Sequence, residues 1–263
     1  MTTHHRFGAA ADAYSAYRPE YSREIFERIL AHIPVDRRHC ALDLGAGTGK
    51  ATRPLTECFS EVIAVEPDQR MAEKILAVAP RALVCVTSAE AFSQPPGTVD
   101  LVNIATALHW MDVPRVMDNV TRWLRPGGIL AVYGSEFPIT PDPVKAIVRQ
   151  EFQQHWDQFR DDRLRRKEFP QSIVRAAPGL DVFQEDTISH VVPMTAAEFA
   201  GFCRSTSYGS AYGRSLADEG AYWRDFEQRL RDAWPEEKFP VDSRFYLILA
   251  RKKMPESGPA PAN

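Results

Sequence analysis

Three alternating glycines in Leu42-Asp43-Leu44-Gly45-Ala46-Gly47-Thr48-Gly49, with Glu66 17 residues further on, form the stretch best suited to chemistry. Glycine lets a backbone pass close beside a ligand, because no Cβ stands in the way. An apolar run leads into the turn, and a second one ends at Glu66, where a carboxylate can reach a ribose. A strand, a glycine turn, a helix and an acidic residue in that order bind a nucleoside-bearing cofactor. A phosphate loop, G-x-x-x-x-G-K-[ST], needs glycine where Leu44 stands and a hydroxyl where Ala51 stands, so that class is excluded. A dinucleotide turn, G-x-G-x-x-G, has Lys50 in place of its third glycine and fits poorly.

The elements around this turn follow from periodicity. Tyr21, Ile25, Phe26, Ile29, Leu30 and Ile33 are spaced for a helix over 20–33, which Pro34 ends. Residues 40–44 read as a short buried strand and 51–59 as the helix after it, with Pro54 in the first turn. Strands are expected over 61–66, 82–86, 99–105 and 129–133. Helices are expected from 67 to about 78 and over 113–124. Arg125-Pro126-Gly127-Gly128 reads as a tight turn. Apolar strands alternating with helices imply a parallel sheet covered on both faces. The last third is less regular. It predicts one or two helices over 143–166, a strand over 182–192, helices over 195–202 and 217–234, and a strong strand over 245–250.

The chain has 263 residues, room for one large α/β domain with insertions. Its formal net charge of -3 and pI of about 6.2 argue against general nucleic-acid affinity. Cys40, Cys58, Cys85 and Cys203 lie far apart without metal spacing, as expected of reduced thiols in a cytoplasmic protein. No signal peptide is expected, and no stretch reaches the roughly 18 apolar residues of a membrane span. The run Arg160 to Glu168 mixes both signs and reads as a solvated helix face. A lid segment is expected over 1–36, a cofactor-binding core over 37–135, substrate-side insertions and completing strands over 136–254, and a disordered tail over 255–263.

The pattern D-x-G-x-G-x-G from Asp43 to Gly49 resembles motif I of the class I S-adenosylmethionine (SAM) dependent methyltransferases. Val65-Glu66-Pro67-Asp68, with Met71, is similar to motif II. Thr87-Ser88-Ala89-Glu90 resembles the adenine-contacting turn after strand three, with Thr87 replacing its glycine. Asp100 to Trp110 resembles strand four with the A-x-H-W ending of the trans-aconitate methyltransferase-like branch (methyltransferase type 11). Leu124-Arg125-Pro126-Gly127-Gly128 is similar to the L-K/R-P-G-G turn, and Phe7…Tyr14…Tyr17-Arg18-Pro19-Glu20-Tyr21 resembles the opening segment of the same branch. Together these cover about half the chain. The resemblance implies a Rossmann-like, doubly wound α/β fold. Its seven-stranded sheet would be mostly parallel, with the last strand antiparallel. It also implies SAM as cofactor, S-adenosylhomocysteine (SAH) as product, and no metal.

On that resemblance Gly45, Ala46, Gly47 and Gly49 offer backbone to the cofactor. Asp43 orients the turn or meets the SAM ammonium through water. Glu66 accepts from both ribose hydroxyls, unless it is only a solvated strand end. Pro67 and Met71 pack on the adenine, although Met71 also suits a helix core. Ser88 and Ala89 flank the adenine edge, with Glu90 beside them or capping a helix. Ala105 leaves room for the methionine part, at the carboxyl end of strand four where open α/β sheets place ligands. Tyr14 and Arg18 fold over the cofactor, unless they belong to an ordinary amphipathic helix.

The substrate-side candidates are Tyr17, His109, Trp110, Arg204 and Tyr208. His109 could take a proton from the acceptor or simply line the pocket. Arg204 could hold an acid or sit on the surface. The sequence predicts methyl transfer to a small molecule, at an oxygen, with a carboxylate among the options. No nucleic-acid or membrane partner and a monomer or homodimer are expected. Ala105-Thr106-Ala107-Leu108 stands where base and amide methyltransferases often have N-P-P-Y. A SAM-fold protein without methyl transfer, either a cyclase or a regulatory module, is the alternative. A nicotinamide oxidoreductase is the third.

Overall fold

The computed structural model describes residues 11–165 and 170–254. Phe7 and the tail over 255–263 lie outside the described residues, as do 166–169. Apolar runs become strands wherever both faces are covered. Cys40–Leu44 (β1) and Val99–Ala105 (β4) are buried along their whole length. Glu61–Val65 (β2), Leu83–Cys85 (β3) and Leu124–Ser135 (β5) run parallel to them. Leu180–Met194 (β6) and Phe239–Lys252 (β7) complete a seven-stranded sheet of order β3-β2-β1-β4-β5-β7-β6. β7 pairs antiparallel with both β5 and β6, so six strands share one direction and the last opposes them.

Helices cover both faces. Arg23–Leu30 (α2) puts Ile25, Phe26 and Ile29 on one face, and Thr52–Cys58 (α3) adds Leu55 beside Ala41, Leu101 and Ala131. Val113–Trp123 (α5) covers the other face with Val116, Met117, Val120 and Trp123, the stripe that helical periodicity gives. Each such side chain contributes about 1.5–3 kcal/mol of burial. A separate aromatic core, including Trp156, Phe199, Phe202, Tyr208, Trp223 and Phe226, holds the later helices together. Those helices include Asp142–Glu151 (α6), Ala196–Arg204 (α8), Ser207–Ser215 (α9) and Glu219–Ala233 (α10). Ala11–Tyr17 (α1) leads the described chain, Gln69–Val78 (α4) follows β2, and Gln171–Ala176 (α7) precedes β6.

Three sequence expectations need correction. Arg125 to Gly128 do not precede a strand; they form a bulge inside β5, where pairing jumps from Leu124 to Ile129 and Gly127 turns at φ 78°. The helix α9 was not predicted, because its Ser-Tyr-Gly-Ser sequence is a poor intrinsic helix former that Thr206 caps and aromatic packing retains. Residues 160–165 are not a helix face: Asp162–Arg165 is a short 3-10 turn.

The glycine turn is locked between strands. The amides of Gly45 and Ala46 both donate to the Val65 carbonyl, at 2.8 and 3.1 Å. Gly49 turns at φ 86°, and a Cβ there would stand 2.8 Å from Cγ2 of Val78 on α4. Both the conformation and the space demand glycine. Gly49→Ala is expected to cost about 2–4 kcal/mol of unfolding free energy in urea titration. A loss below about 1 kcal/mol would mean that α4 gives way instead.

Candidate active site

The strand order reverses between β1 and β4, whose carboxyl ends therefore flank the crevice where open α/β sheets bind ligands. The glycine turn leaves β1 on one side of this crevice. Residues 106–110 leave β4 on the other.

Each glycine has its own reason. A Cβ on Gly45 would stand 2.6 Å from Cβ of Ala107, so the turn and the β4 end pack backbone to side chain. Gly49 packs on α4. A Cβ on Gly47 would meet nothing within 4 Å, although the residue turns at φ 58°. Gly47 thus presents bare main chain to open space.

Glu66 is buried behind that turn. Its Oε2 accepts from the Gly47 amide at 2.8 Å, and its Oε1 from the Asp68 amide at 2.9 Å. Burial pushes its pKa up, against the pull of those two amides. Each oxygen keeps one lone pair for a further donor. Asp68 caps α4 through the amides of Arg70 and Met71. Met71 is buried, and Pro67 is half-buried beside Glu66.

Asp43 is fully buried, and burial raises its pKa. It accepts from Thr52 Oγ1 at 2.6 Å and from Asn103 Nδ2 at 2.8 Å, bonds that suit the first of its two expected roles, orienting the turn. Ala89 is buried, and Ser88 accepts from the amides of Ala91 and Phe92. Glu90 accepts from the Asp112 amide at 2.7 Å, which ties the β3–β4 connection to the start of α5. Ala46 packs with Ala64 and Ile75, and Ala105 is buried at the end of β4.

Across the crevice, further side chains converge from distant segments. His109 and Trp110 lie in the 3-10 turn Leu108–Trp110, with ring centroids 4.7 Å apart. The Arg163 guanidinium stands over the Trp110 ring at 4.7 Å. Its Nε and Nη2 donate to the two carboxylate oxygens of Asp161, at 2.9 and 2.8 Å. Burial, with the Arg163 cation as second cause, lowers the His109 pKa to about 4.

The N-terminal segment spans both halves. Lys74 on α4 holds Asp12 at 2.6 Å, and Lys50 holds Glu20 at 2.8 Å. Arg18 Nε donates to Ser205 Oγ at 3.0 Å, and its guanidinium lies over Phe202 at 4.7 Å and Tyr14 at 5.5 Å. The Tyr17 ring covers Gly201, leaving no room there for a Cβ. Tyr208 is buried against Phe152 and Trp156. Arg204 pairs with Glu219 at 2.9 Å and is half exposed, the surface placement of its two readings.

Comparison with known proteins places this geometry. A model of the methyltransferase domain matches residues 42–132. A Dictyostelium discoideum protein named as a methyltransferase is 30% identical over 94% of this chain and 95% of its own length. The chain is a class I SAM-dependent methyltransferase. A Mycobacterium tuberculosis protein named as an uncharacterised methyltransferase is 40% identical over 48% of this chain and 50% of its own. A solved structure named as a type II methyltransferase of Anaeromyxobacter dehalogenans superposes with a TM-score of 0.71 at 25% identity, covering 90% and 98% of the two chains.

The residues of this methyltransferase fit its cofactor. Gly47 offers an uncovered main chain, and Glu66 offers spare acceptor capacity directly behind it. Among the described residues no group of three or more His, Cys, Asp or Glu could hold a metal ion, and no helix is long and apolar enough to cross a membrane. The four cysteines are free thiols. An open depression of about 640 Å³ at the amino end of β6, beside Arg175, Phe183 and Lys253, lies at the opposite end of the sheet from this site.

Sequence reasoning did not single out Asn103, which bonds Asp43, or Arg163, which stands over Trp110. Arg163 sits in a mixed-charge run, where nothing but tertiary placement distinguishes it from its neighbours.

Gly47→Arg is expected to abolish SAH binding in calorimetry, since its side chain would fill the open space, with a loss of stability from the left-handed backbone. Glu66→Ala is expected to weaken binding by about 1–3 kcal/mol, as for a lost charged hydrogen bond. Wild-type affinity in either variant contradicts the assignment. By NMR the His109 imidazole is expected to titrate near pH 4. Arg163→Gln should move that midpoint upward, because removing a cation eases protonation. No movement would separate the two groups.

Proposed function

We propose that the chain methylates a small-molecule acid at oxygen, in the manner of the trans-aconitate methyltransferase-like branch. One observation supports this reading above others: the Arg163 guanidinium, fixed by Asp161, lies over Trp110 next to His109. Arginine is the side chain that matches a carboxylate in two parallel hydrogen bonds. The pair with Asp161 uses the Nε–Nη2 edge of the guanidinium, and in our reading Nη1 meets the acceptor.

The bound cofactor supplies an electrophilic methyl group. The chain's work is placement. Glu66 accepts from the ribose hydroxyls, and the backbone of Gly45, Ala46, Gly47 and Gly49 runs beside the nucleoside. Pro67, Met71, Ser88, Ala89 and Glu90 surround the adenine. Asp43 steadies the turn, and Ala105 leaves space for the methionine part. Tyr14 and Arg18 close over the cleft with Tyr17, and Tyr208 packs behind them. Arg204 is left outside this set by its pairing with Glu219.

A carboxylate arrives already ionised and needs no base. A neutral His109 agrees with that, since an imidazole of pKa about 4 is a weak proton acceptor at neutral pH. In our reading His109 lines the pocket, and in-line alignment at roughly 3–3.5 Å supplies the rate. Exclusion of water falls to the N-terminal segment and the aromatic helical unit. The reading uses no metal, and it places the protein in the cytoplasm.

Incubating the protein with isotope-labelled SAM and a library of small acids, alcohols and amines, followed by mass spectrometry, should yield labelled methyl esters. Label only in amines would overturn the choice of oxygen. With the acid so found, Arg163→Gln should lower kcat/KM about 10- to 100-fold, the size of a lost charge-assisted bond. SAH affinity should stay within about two-fold. An unchanged kcat/KM removes Arg163 from the acceptor site.

A further inference from the structure

Thr106 is, among the described residues, the one non-glycine with a left-handed backbone, at φ 54°. For a β-branched residue this is a true outlier, because Cβ and Cγ2 crowd the neighbouring carbonyl. Such strain persists only where the surroundings hold it, and it gathers at functional sites. The position is telling. Thr106 directly follows β4 and sits between Ala105 and the turn Leu108–Trp110. The left-handed step sends the chain across the crevice, so that Ala107 lands against Gly45 and His109 follows it.

Two bonds restrain the step. The Thr106 amide donates to the Tyr133 carbonyl at 2.7 Å, which extends the β4–β5 ladder by one residue. The Thr106 hydroxyl meets the Tyr21 hydroxyl at 3.2 Å. Tyr21 lies 85 positions earlier, at the end of the N-terminal segment. Its ring stands edge-on to Tyr133 at 5.1 Å and to Phe245 at 5.6 Å, so the hydroxyl is aimed by rigid packing.

We propose that Tyr21 is a positioning residue for the cofactor cleft: its hydroxyl latches Thr106 in the left-handed conformation, and that conformation sets residues 105–110 against the glycine turn. The inference rests on the cofactor reading, because the cleft it shapes is the SAM cleft. It also gives the N-terminal segment a second role. Besides covering the site, the segment shapes the β4 end from behind, through one hydrogen bond. Ordering of residues 18–21 and formation of the cleft are then one event.

The test is a four-protein cycle on the full chain: wild type, Tyr21→Phe, Thr106→Gly and the double variant, each titrated calorimetrically with SAH. Phenylalanine keeps the ring and removes the latch. Glycine takes the left-handed conformation with no latch. Tyr21→Phe should weaken SAH binding about five- to ten-fold, the scale of one hydrogen bond. Adding Thr106→Gly should restore affinity to within about two-fold of wild type, and Thr106→Gly alone should bind nearly normally. A residue that merely filled space would show no such rescue. Thr106→Val keeps the shape and the strain but loses the hydroxyl, so it should mimic Tyr21→Phe. Wild-type affinity in Tyr21→Phe or Thr106→Val overturns the latch, and so does a double variant as weak as Tyr21→Phe.

Melting temperatures of the same proteins judge the latch without the cofactor. Thr106→Gly should raise Tm more in the Tyr21→Phe background than in wild type. Equal shifts overturn the proposal. Failure of wild type to bind SAH would instead count against the cofactor reading, leaving the melting cycle to decide the latch.

Discussion

A buried carboxylate cannot stay charged without donors, and Glu66 meets that requirement with two main-chain amides. One of them belongs to Gly47, on the neighbouring strand's turn. The bond therefore does two things at once. It compensates a desolvated charge, and it fixes the glycine turn relative to the end of β2. The amides of Gly45 and Ala46, both held by Val65, repeat the connection one residue earlier. The Glu66 carboxylate and the bare backbone of Gly47 thus stand in fixed relation before any ligand arrives, so little ordering cost falls on binding.

The opposite wall is built on another principle. Residues 105–110 leave β4 through a strained backbone step rather than a glycine. Their position depends on contacts from elsewhere: Ala107 against Gly45, the Glu90 carboxylate on the Asp112 amide, and Arg163 over Trp110. One wall is set by the strands and the other by distant segments converging on it. The N-terminal segment joins the two. It is salt-bridged to α4 through Asp12 and to Lys50 through Glu20, and it reaches α8 through Arg18 and Tyr17. The exposed pairs are worth little individually, with a median of about 0–1 kcal/mol each. The Arg18 stack on Phe202 and the Tyr17 ring over Gly201 are the more substantial ties.

How much of this was legible followed from the range of the interaction. β1 and β4 were readable to the residue, because five or seven consecutive buried positions leave a continuous apolar signature. The strand–turn–helix unit that carries Asp43, Gly47 and Glu66 was legible because its bonds are local. The strand order came only through the family resemblance, as periodicity does not encode neighbours. Arg163 and Thr106 were invisible for different reasons. Arg163 stands among Asp161, Asp162, Arg165 and Arg166, and pairing with Trp110 is a tertiary accident of where the 3-10 turn falls. Thr106 follows a β-strand and has strong β propensity, so local preference pointed away from the conformation it adopts.

The electrostatics around His109 constrain the chemistry further. The cofactor of this family brings a sulfonium cation into the crevice. Arg163 brings another, balanced by Asp161. Protonating His109 beside Arg163 would gather a further positive charge in a desolvated space, where like charges repel. Burial and Arg163 together keep the imidazole neutral down to about pH 4. An acceptor that had to give His109 a proton would create the very imidazolium this arrangement disfavours. On the proposed reading, a carboxylate acceptor lowers the total charge and loses its own as the ester forms. On that reading, the low His109 pKa that makes a poor general base suits a wall beside an anionic nucleophile.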